Sequence, residues 1–395
     1  MKIFNVKLLY IYKFINNCLP IYAFYTILFI DKGMTVTDVA LLIALWSAFA
    51  IVFEIPSGVL ADRWNRRNML AVASILNGIC YVIWFFSDTF FMFALGFFFW
   101  AIAGAFTSGT EEGLIFDNLK SDGREESFTQ VYGRANLFSN AGNIVGIASA
   151  GIISNFVSVE GIALLSAAIC FINVIFILQI REKNFYSKRL DEKSISFFGT
   201  FKEASAFIKG SRIVLISILF LMLFANLGSY LDEFDALIIN DFQVDHVWVS
   251  VILTIRFVFV ALGDILAPIV QKRVSSIKQI FFINVLAFAF LTIFAAIWNL
   301  YAILIFGIAF MIMTISEILF VNTLQNEIKE EGRATVMSFL GIGQNIAMIC
   351  LSLMYAFLTG IFTLQHVYII ISIYGIAGGL SLYLLYRIVR IKIDV

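Results

Sequence analysis

Charged residues make up only 14% of this 395-residue chain, and proline occurs three times. A soluble domain of ordinary composition is about a quarter charged. So few charges cannot clothe a chain that is 61% hydrophobic in a water-facing surface, and the solvent of most of it is therefore lipid. The apolar stretches run unbroken for about twenty residues instead of alternating with period two, which excludes a membrane barrel. Cysteine is scarce as well. Cys18, Cys80, Cys170 and Cys350 are far apart in apolar segments, so neither a disulfide framework nor a metal site is expected, and all four read as buried small apolar residues. His246 and His366, the two histidines, fall near loops with no nucleophile beside them. No catalytic constellation, cofactor or enzyme activity is expected. A nucleotide-binding glycine-rich loop is absent, which argues against an ATP-driven pump. The net charge of zero gives nucleic acid nothing to hold.

What the chain does contain is apolar helix. At about twenty residues per crossing, spans are expected near 8–30, 38–60, 69–87, 90–119, 128–155, 160–181, 211–240, 247–271, 278–298, 301–327, 334–362 and 366–388. The first is too long for a signal peptide and is read as a retained helix. With both termini in the cytoplasm, the cytoplasmic connections hold Arg63, Arg66, Arg67, Lys120, Arg124, the run Arg181 to Arg212, Lys272, Arg273, Lys278, Lys329 and Arg333. The outer loops hold Lys32 alone. This asymmetry orients the chain. The fold class expected is an all-α polytopic membrane protein with about twelve transmembrane helices in two pseudo-symmetric six-helix bundles. The bundles occupy 1–181 and 211–395, and a polar cytoplasmic linker, 182–210, joins them. Part of that linker, from Phe197 to Phe207, reads either as a surface helix or as a plain tether.

An internal repeat supports two halves. Gly133-Arg134-Ala135 opens the fifth span and Gly332-Arg333-Ala334 the eleventh; at the same offset Ser139 matches Ser338 and Gly142 matches Gly341. Glu112, Leu114, Asp117 and Leu119 line up with Glu317, Leu319, Asn322 and Leu324.

Between the second and third spans lies Gly58-Val-Leu60-Ala-Asp62-Arg63-Trp-Asn65-Arg66-Arg67. A carboxylate and three guanidinium groups within six residues require a water boundary. The segment resembles the loop signature G-x-L-x-D-R-x-G-R-[KR] of the major facilitator superfamily, with Asn65 where that family usually has glycine. The resemblance implies twelve helices, alternating access and a cytoplasmic charge latch between the halves. The latch residues it implies are Gly58, Asp62, Arg63, Arg66 and Arg67, with Asp117 as partner carboxylate. Asp62 is expected to cap the helix that starts near Asn65. The alternative is that these arginines fix topology only. The second copy of the motif, near Ala267 to Arg273, is degraded, with Gln271 where Asp62 stands in the first. The fifth span also resembles, in part, the G-x-x-x-G-P-x-x-G-G signature of proton-coupled drug and natural-product exporters. Gly142 and Gly146 fit and serve helix packing; Ile147 and Ala150 depart from it.

Ionisable groups inside spans need a partner, a wet cavity or a proton. Glu111 and Glu112 follow Ser108-Gly109-Thr110 in the fourth span, and Glu317 is the repeat counterpart of Glu112. These acids are expected either to face a central cavity and carry protons or to sit at the cytoplasmic rim. Asp232 and Asp235 share a face of the seventh span. Asp232 lies roughly 12 Å, and Arg256 roughly 14 Å, from the outer ends of their helices at ~1.5 Å per residue, so an Asp232–Arg256 pair is expected, structural or coupled to transport. Asn226 and Gly228-Ser229 are expected to supply a hinge. Asp264 and Glu54 read as part of the cytoplasmic charge network.

The resemblance implies a secondary transporter of the bacterial cytoplasmic membrane. It is expected to act as a monomer and to exchange protons for a small molecule by export. The cavity acids outnumber Lys13 and Arg256, which favours a substrate with a positive or zwitterionic part. An importer on the same fold, and a membrane sensor or assembly factor that transports nothing, are the alternatives.

Overall fold

The computed structural model describes residues 6–182, 212–274, 276–327 and 333–391. Most of the expected linker, including 197–207, lies outside them. The described residues are helical, joined by short turns. Two compact units emerge: Met1–Ser194 with Asp245–Val251, and Ile195–Val244 with Ile252–Val395.

The first unit begins with a broken span. Helix α1 (Val6–Asn17) ends before a single 3-10 turn (Pro20–Ala23), and α2 (Tyr25–Asp31) completes the crossing. Pro20 sits in the first turn of the 3-10 segment, where its missing N–H costs least. Helix α3 (Val36–Arg63) starts with a capping box between Thr35 and Asp38, and α4 (Arg66–Phe86) follows. The fourth span is split into α5 (Phe90–Thr107) and α6 (Thr110–Ser121). Gly109 between them adopts φ +67°, a conformation that only glycine reaches cheaply. Then come α7 (Phe128–Ile153) and α8 (Val159–Gln179). Helix α4 packs against both α5 and α8, and α1 against α7. An aromatic cluster of Tyr25, Phe29, Trp84, Phe93, Phe97 and Trp100 fills this unit, with centroids such as Phe29–Phe93 4.3 Å apart.

The second unit also opens on an interrupted span. Helix α9 (Arg212–Phe220) passes through a π-helical turn (Leu221–Ala225) into α10 (Asn226–Asp232); the chain then turns at Glu233-Phe234 and resumes as α11 (Asp235–Asp241). The helices α12 (His246–Gln271), α13 (Ile277–Ile297), α14 (Ile303–Glu327), α15 (Arg333–Thr359) and α16 (Leu364–Ile391) follow. Helix α13 packs between α14 and α16.

Twelve crossings are therefore present among the described residues, close to the expected ranges. Eleven helical segments are long and apolar enough to span a bilayer. The twelfth, α7, is long enough at 26 residues but carries Gln130, Arg134, Asn136, Asn140 and Asn143. Large apolar side chains point outward, Phe91 and Phe156 at 83% exposure each, as a lipid-facing surface requires. Three expected spans need correction. The segments 8–30, 90–119 and 211–240 are not single helices, and each break sits beside ionisable or polar residues. Asn226 and Gly228-Ser229, where a hinge is expected, lie within α10, between the π turn and the break at 233–234. The side chain of Asn226 lies outside the described residues. Two of the four cysteines also differ from the expected burial. Cys80 and Cys170 are buried, Cys18 is half-buried and Cys350 is exposed on α15.

Gly142 and Gly146 hold α7 against the broken first span. A Cβ at Gly142 would stand 2.3 Å from the Phe14 carbonyl oxygen, and one at Gly146 would stand 2.7 Å from the Leu19 backbone nitrogen. Both obstacles are backbone, which cannot rotate away. Gly146→Val is expected to destabilise the unit by about 1–3 kcal/mol through overpacking, read as a lower midpoint of thermal unfolding in detergent. Ala150→Val offers no such control because Ala150 is itself fully buried, whereas exposed Val145→Ala should leave the midpoint unchanged.

Candidate functional site

In the first unit the break at Ser108-Gly109 turns the start of α6 into the unit. Glu111 and Glu112 occupy its first turn, where the helix dipole favours a negative charge. They part company there. Glu111 faces α1: its Oε2 receives the Lys13 ammonium at 2.5 Å and its Oε1 the Tyr12 hydroxyl. The side chains of Lys13 and Glu111 are 11% and 12% exposed, so this is a nearly buried ion pair with a neutral donor attached. Glu112 faces α7 and accepts a hydrogen bond from the Tyr132 hydroxyl at 2.6 Å. Among the described residues no ion pair includes Glu112. Both glutamates line a cavity of about 460 Å³, together with Asn16, Asn77, Trp100, Ser108 and Tyr132. The volume falls within the range of small-molecule sites.

In the second unit a helix break again presents the acids. Asp232 ends α10 and Asp235 starts α11, and one guanidinium serves both. Arg256 Nη2 is 2.7 Å from Asp232 Oδ1, and its Nε is 2.8 Å from Asp235 Oδ2. Asp235 is fully buried and Arg256 is 4% exposed, whereas the side chain of Asp232 is 35% exposed. The guanidinium also lies over the rings of Phe310 and Phe257, at 4.2 Å and 4.8 Å. Arginine suits such a place, since its plane stacks on aromatics while its edge meets carboxylates. Two carboxylates on one cation leave the cluster one negative charge in excess when all three are ionised. A buried cluster of this kind is costly, and it points to function more readily than to stability.

The structure thus brings together Asp232 and Arg256, as the sequence suggests, and adds Asp235 as the deeper partner. Glu317, on α14, is half-buried in the second unit and lies within electrostatic reach of Asp264 on α12. The two helices approach closely there: a Cβ at Gly263 would stand 2.8 Å from the Met311 carbonyl.

The arginine-rich turn is built within the first unit. Arg66 Nη1 pairs with Asp117 at 2.9 Å, and Gly113, one turn earlier on α6, leaves room for that guanidinium. Arg67 donates to the carbonyls of Leu178 and Ile180. Asp62 was the expected cap of α4, but the N–H groups of the first turn go elsewhere. Asn65 takes the Asn68 N–H, and the Glu182 carboxylate takes those of Arg66 and Arg67 at 2.9 Å each. The side chains of Asp62 and Arg63 lie outside the described residues. Gly58 is exposed within α3, with open space around it.

Sequence reading missed Tyr12, Tyr132, Asn77 and Glu182 as site residues. Tyr12 had a signal, since it neighbours Lys13, a lone cation in an apolar span. Glu182 had none, because its partner lies 116 residues away.

Comparison with known proteins then decides the lineage. The Major Facilitator Superfamily matches residues 10–349. The chain belongs to that superfamily. Superfamily membership makes this chain a secondary transporter of the membrane. A curated relative, "Uncharacterized MFS-type transporter YfkF" of Bacillus subtilis (strain 168), is 30% identical over 69 residues, which is 18% of this chain and 16% of that protein. Among solved structures, a mutant of the nucleoside transporter NupG superposes with a TM-score of 0.82 at 16% identity, covering 97% of this chain and all of that one (100%). A D-xylose-proton symporter gives 0.71 at 11% identity, covering 96% of each chain. At such identities these two share the fold with this chain, and the fold alone.

Proposed function

We propose that this superfamily member moves a small molecule across the bacterial cytoplasmic membrane in exchange for protons. It acts as a monomer with both termini in the cytoplasm, and export is its working direction. The observation that carries the reading is the single guanidinium of Arg256 between Asp232 and Asp235, at 2.7 and 2.8 Å, in a helix break inside a membrane span. With one charge in excess, the cluster relaxes when a proton arrives and tightens when it leaves. Interrupted helices at midspan are where transporters of this kind place ligand and ion sites. The first unit supplies the complementary feature, a polar cavity beside Glu111 and Glu112. Glu317 adds a further half-buried carboxylate in the second unit, a candidate to carry a proton with Asp264. Export also accords with the partial exporter signature at Gly142 and Gly146.

Import is the second reading, favoured by the fold shared with a proton symporter. Purified protein in liposomes holding a pH-sensitive dye tests both. Substrate addition on one face should move protons opposite to substrate for export and with it for import. Asp235→Asn and Asp232→Asn should each abolish the proton movement while Glu317→Gln reduces it. Undiminished proton movement in both aspartate variants would overturn the assignment. A chain that moves no substrate and no protons would return it to the sensor reading.

A further inference from the structure

The cavity of the first unit holds a charge imbalance that defines what it accepts. Lys13 and Glu111 cancel each other, and the Tyr12 hydroxyl completes the second oxygen of Glu111 without adding charge. Among the described residues, the partner of Glu112 is the neutral Tyr132 hydroxyl. Glu54 adds a charge of the same sign at the edge, where Ser108 Oγ donates to it at 3.3 Å. The guanidinium that packs on α6 at Gly113, that of Arg66, is paired with Asp117. Two further features limit the shape of a ligand. Trp100 lines the cavity as a fixed plate, stacked on Phe97 and Tyr22 with centroids 5.6 and 5.9 Å apart. Asn77, also lining it, keeps a buried carbonyl oxygen with no hydrogen-bond donor. A buried acceptor left open is a place for a donor group of a ligand.

We infer that this cavity binds a planar aromatic organic monocation, with Glu112 facing its positive charge and Trp100 its ring. The inference rests on the transport reading and narrows its substrate class. The carboxylate of Glu112 holds the charge, and the Trp100 indole, which lines the same cavity, adds apolar contact for a ring. An anion would meet Glu112 and Glu54, and among the described residues that line the cavity there is no lysine or arginine to offset them. A neutral ring would keep the stacking and lose the charge contact.

The test is equilibrium binding of N-methyl-phenylpyridinium and of its uncharged parent, phenylpyridine, to the purified full-length protein at neutral pH. The two probes have nearly the same shape and differ in charge. The cation should bind at least about tenfold more tightly than the parent, an affinity ratio one carboxylate contact can supply. Glu112→Gln should remove the difference, Glu112→Asp should keep it, and Trp100→Ala should weaken both probes together. Equal binding of the two probes by the native protein would overturn the inference. So would a difference that survives in Glu112→Gln. Unfolding midpoints of the variants separate loss of recognition from loss of fold. Because binding is read without transport, the outcome is independent of proton movement in liposomes: a protein that moves protons but ignores the charge of the probe keeps the transport reading and loses this one.

Discussion

Arg256→Met is expected to be the most damaging single substitution in the second unit. It strands Asp235, fully buried, and Asp232 beside it, with no cation between them. Removing one partner of a buried ionic cluster costs about 3–5 kcal/mol, because the remaining charge has neither water nor a counter-ion. The loss should appear as a lower unfolding midpoint in detergent, followed by tryptophan fluorescence. Arg256→Lys should recover little. An ammonium can approach one carboxylate but cannot span both while lying over the rings of Phe310 and Phe257. Asp232→Asn should be far milder, since that side chain is 35% exposed and its loss leaves a balanced Asp235–Arg256 pair. The order Arg256→Met, then Arg256→Lys, then Asp232→Asn is the expected result; equal midpoints for all three would show that the cluster is not held by its charges.

The second large effect belongs to the first unit. Lys13→Met leaves Glu111 with only the Tyr12 hydroxyl, and Glu111→Gln leaves Lys13 facing a neutral amide. Each single change is expected to cost about 3 kcal/mol, the lower end for a broken buried pair. The double variant should be better than the sum of the two, with a coupling of about 1–3 kcal/mol, because it leaves no unpaired charge. Simple addition of the two losses would mean that the 2.5 Å contact carries no coupling. Transport should fail in all three, and only the singles should fail to fold well. That pattern would separate what the pair does for stability from what it does for function.

Much of the architecture is readable from composition and spacing. Twelve apolar runs were placed within a few residues of twelve crossings, because lipid allows a backbone few alternatives to a helix. The breaks were harder. Gly109 and Pro20 are visible in the sequence, yet glycine and proline also occur inside intact membrane helices, and Pro56 and Pro268 do so here. What separates the cases is tertiary: at 108–109 and 233–234 the freed chain turns acids toward a cation on another helix. The Asp232–Arg256 pairing was readable, since depths along two neighbouring helices can be compared residue by residue. That Asp235 is the more deeply buried of the two acids was not, because its burial depends on the helix break at Glu233-Phe234 and on what packs around it. Glu111 and Glu112 read as equivalent neighbours, but on a helix adjacent residues point about 100° apart. One meets Lys13 and the other Tyr132, and the chemistry of the cavity follows from that divergence.

The proposed transport cycle turns on protons taken up and released by these carboxylates. Infrared difference spectroscopy reads this directly, on full-length protein in membranes, as N-methyl-phenylpyridinium is added. A carboxyl C=O stretch should change intensity on addition in the native protein and be absent from the difference spectrum of Asp235→Asn. A flat carboxyl region in the native protein, with the probe bound, would contradict the claim that these acids exchange protons in the transport cycle.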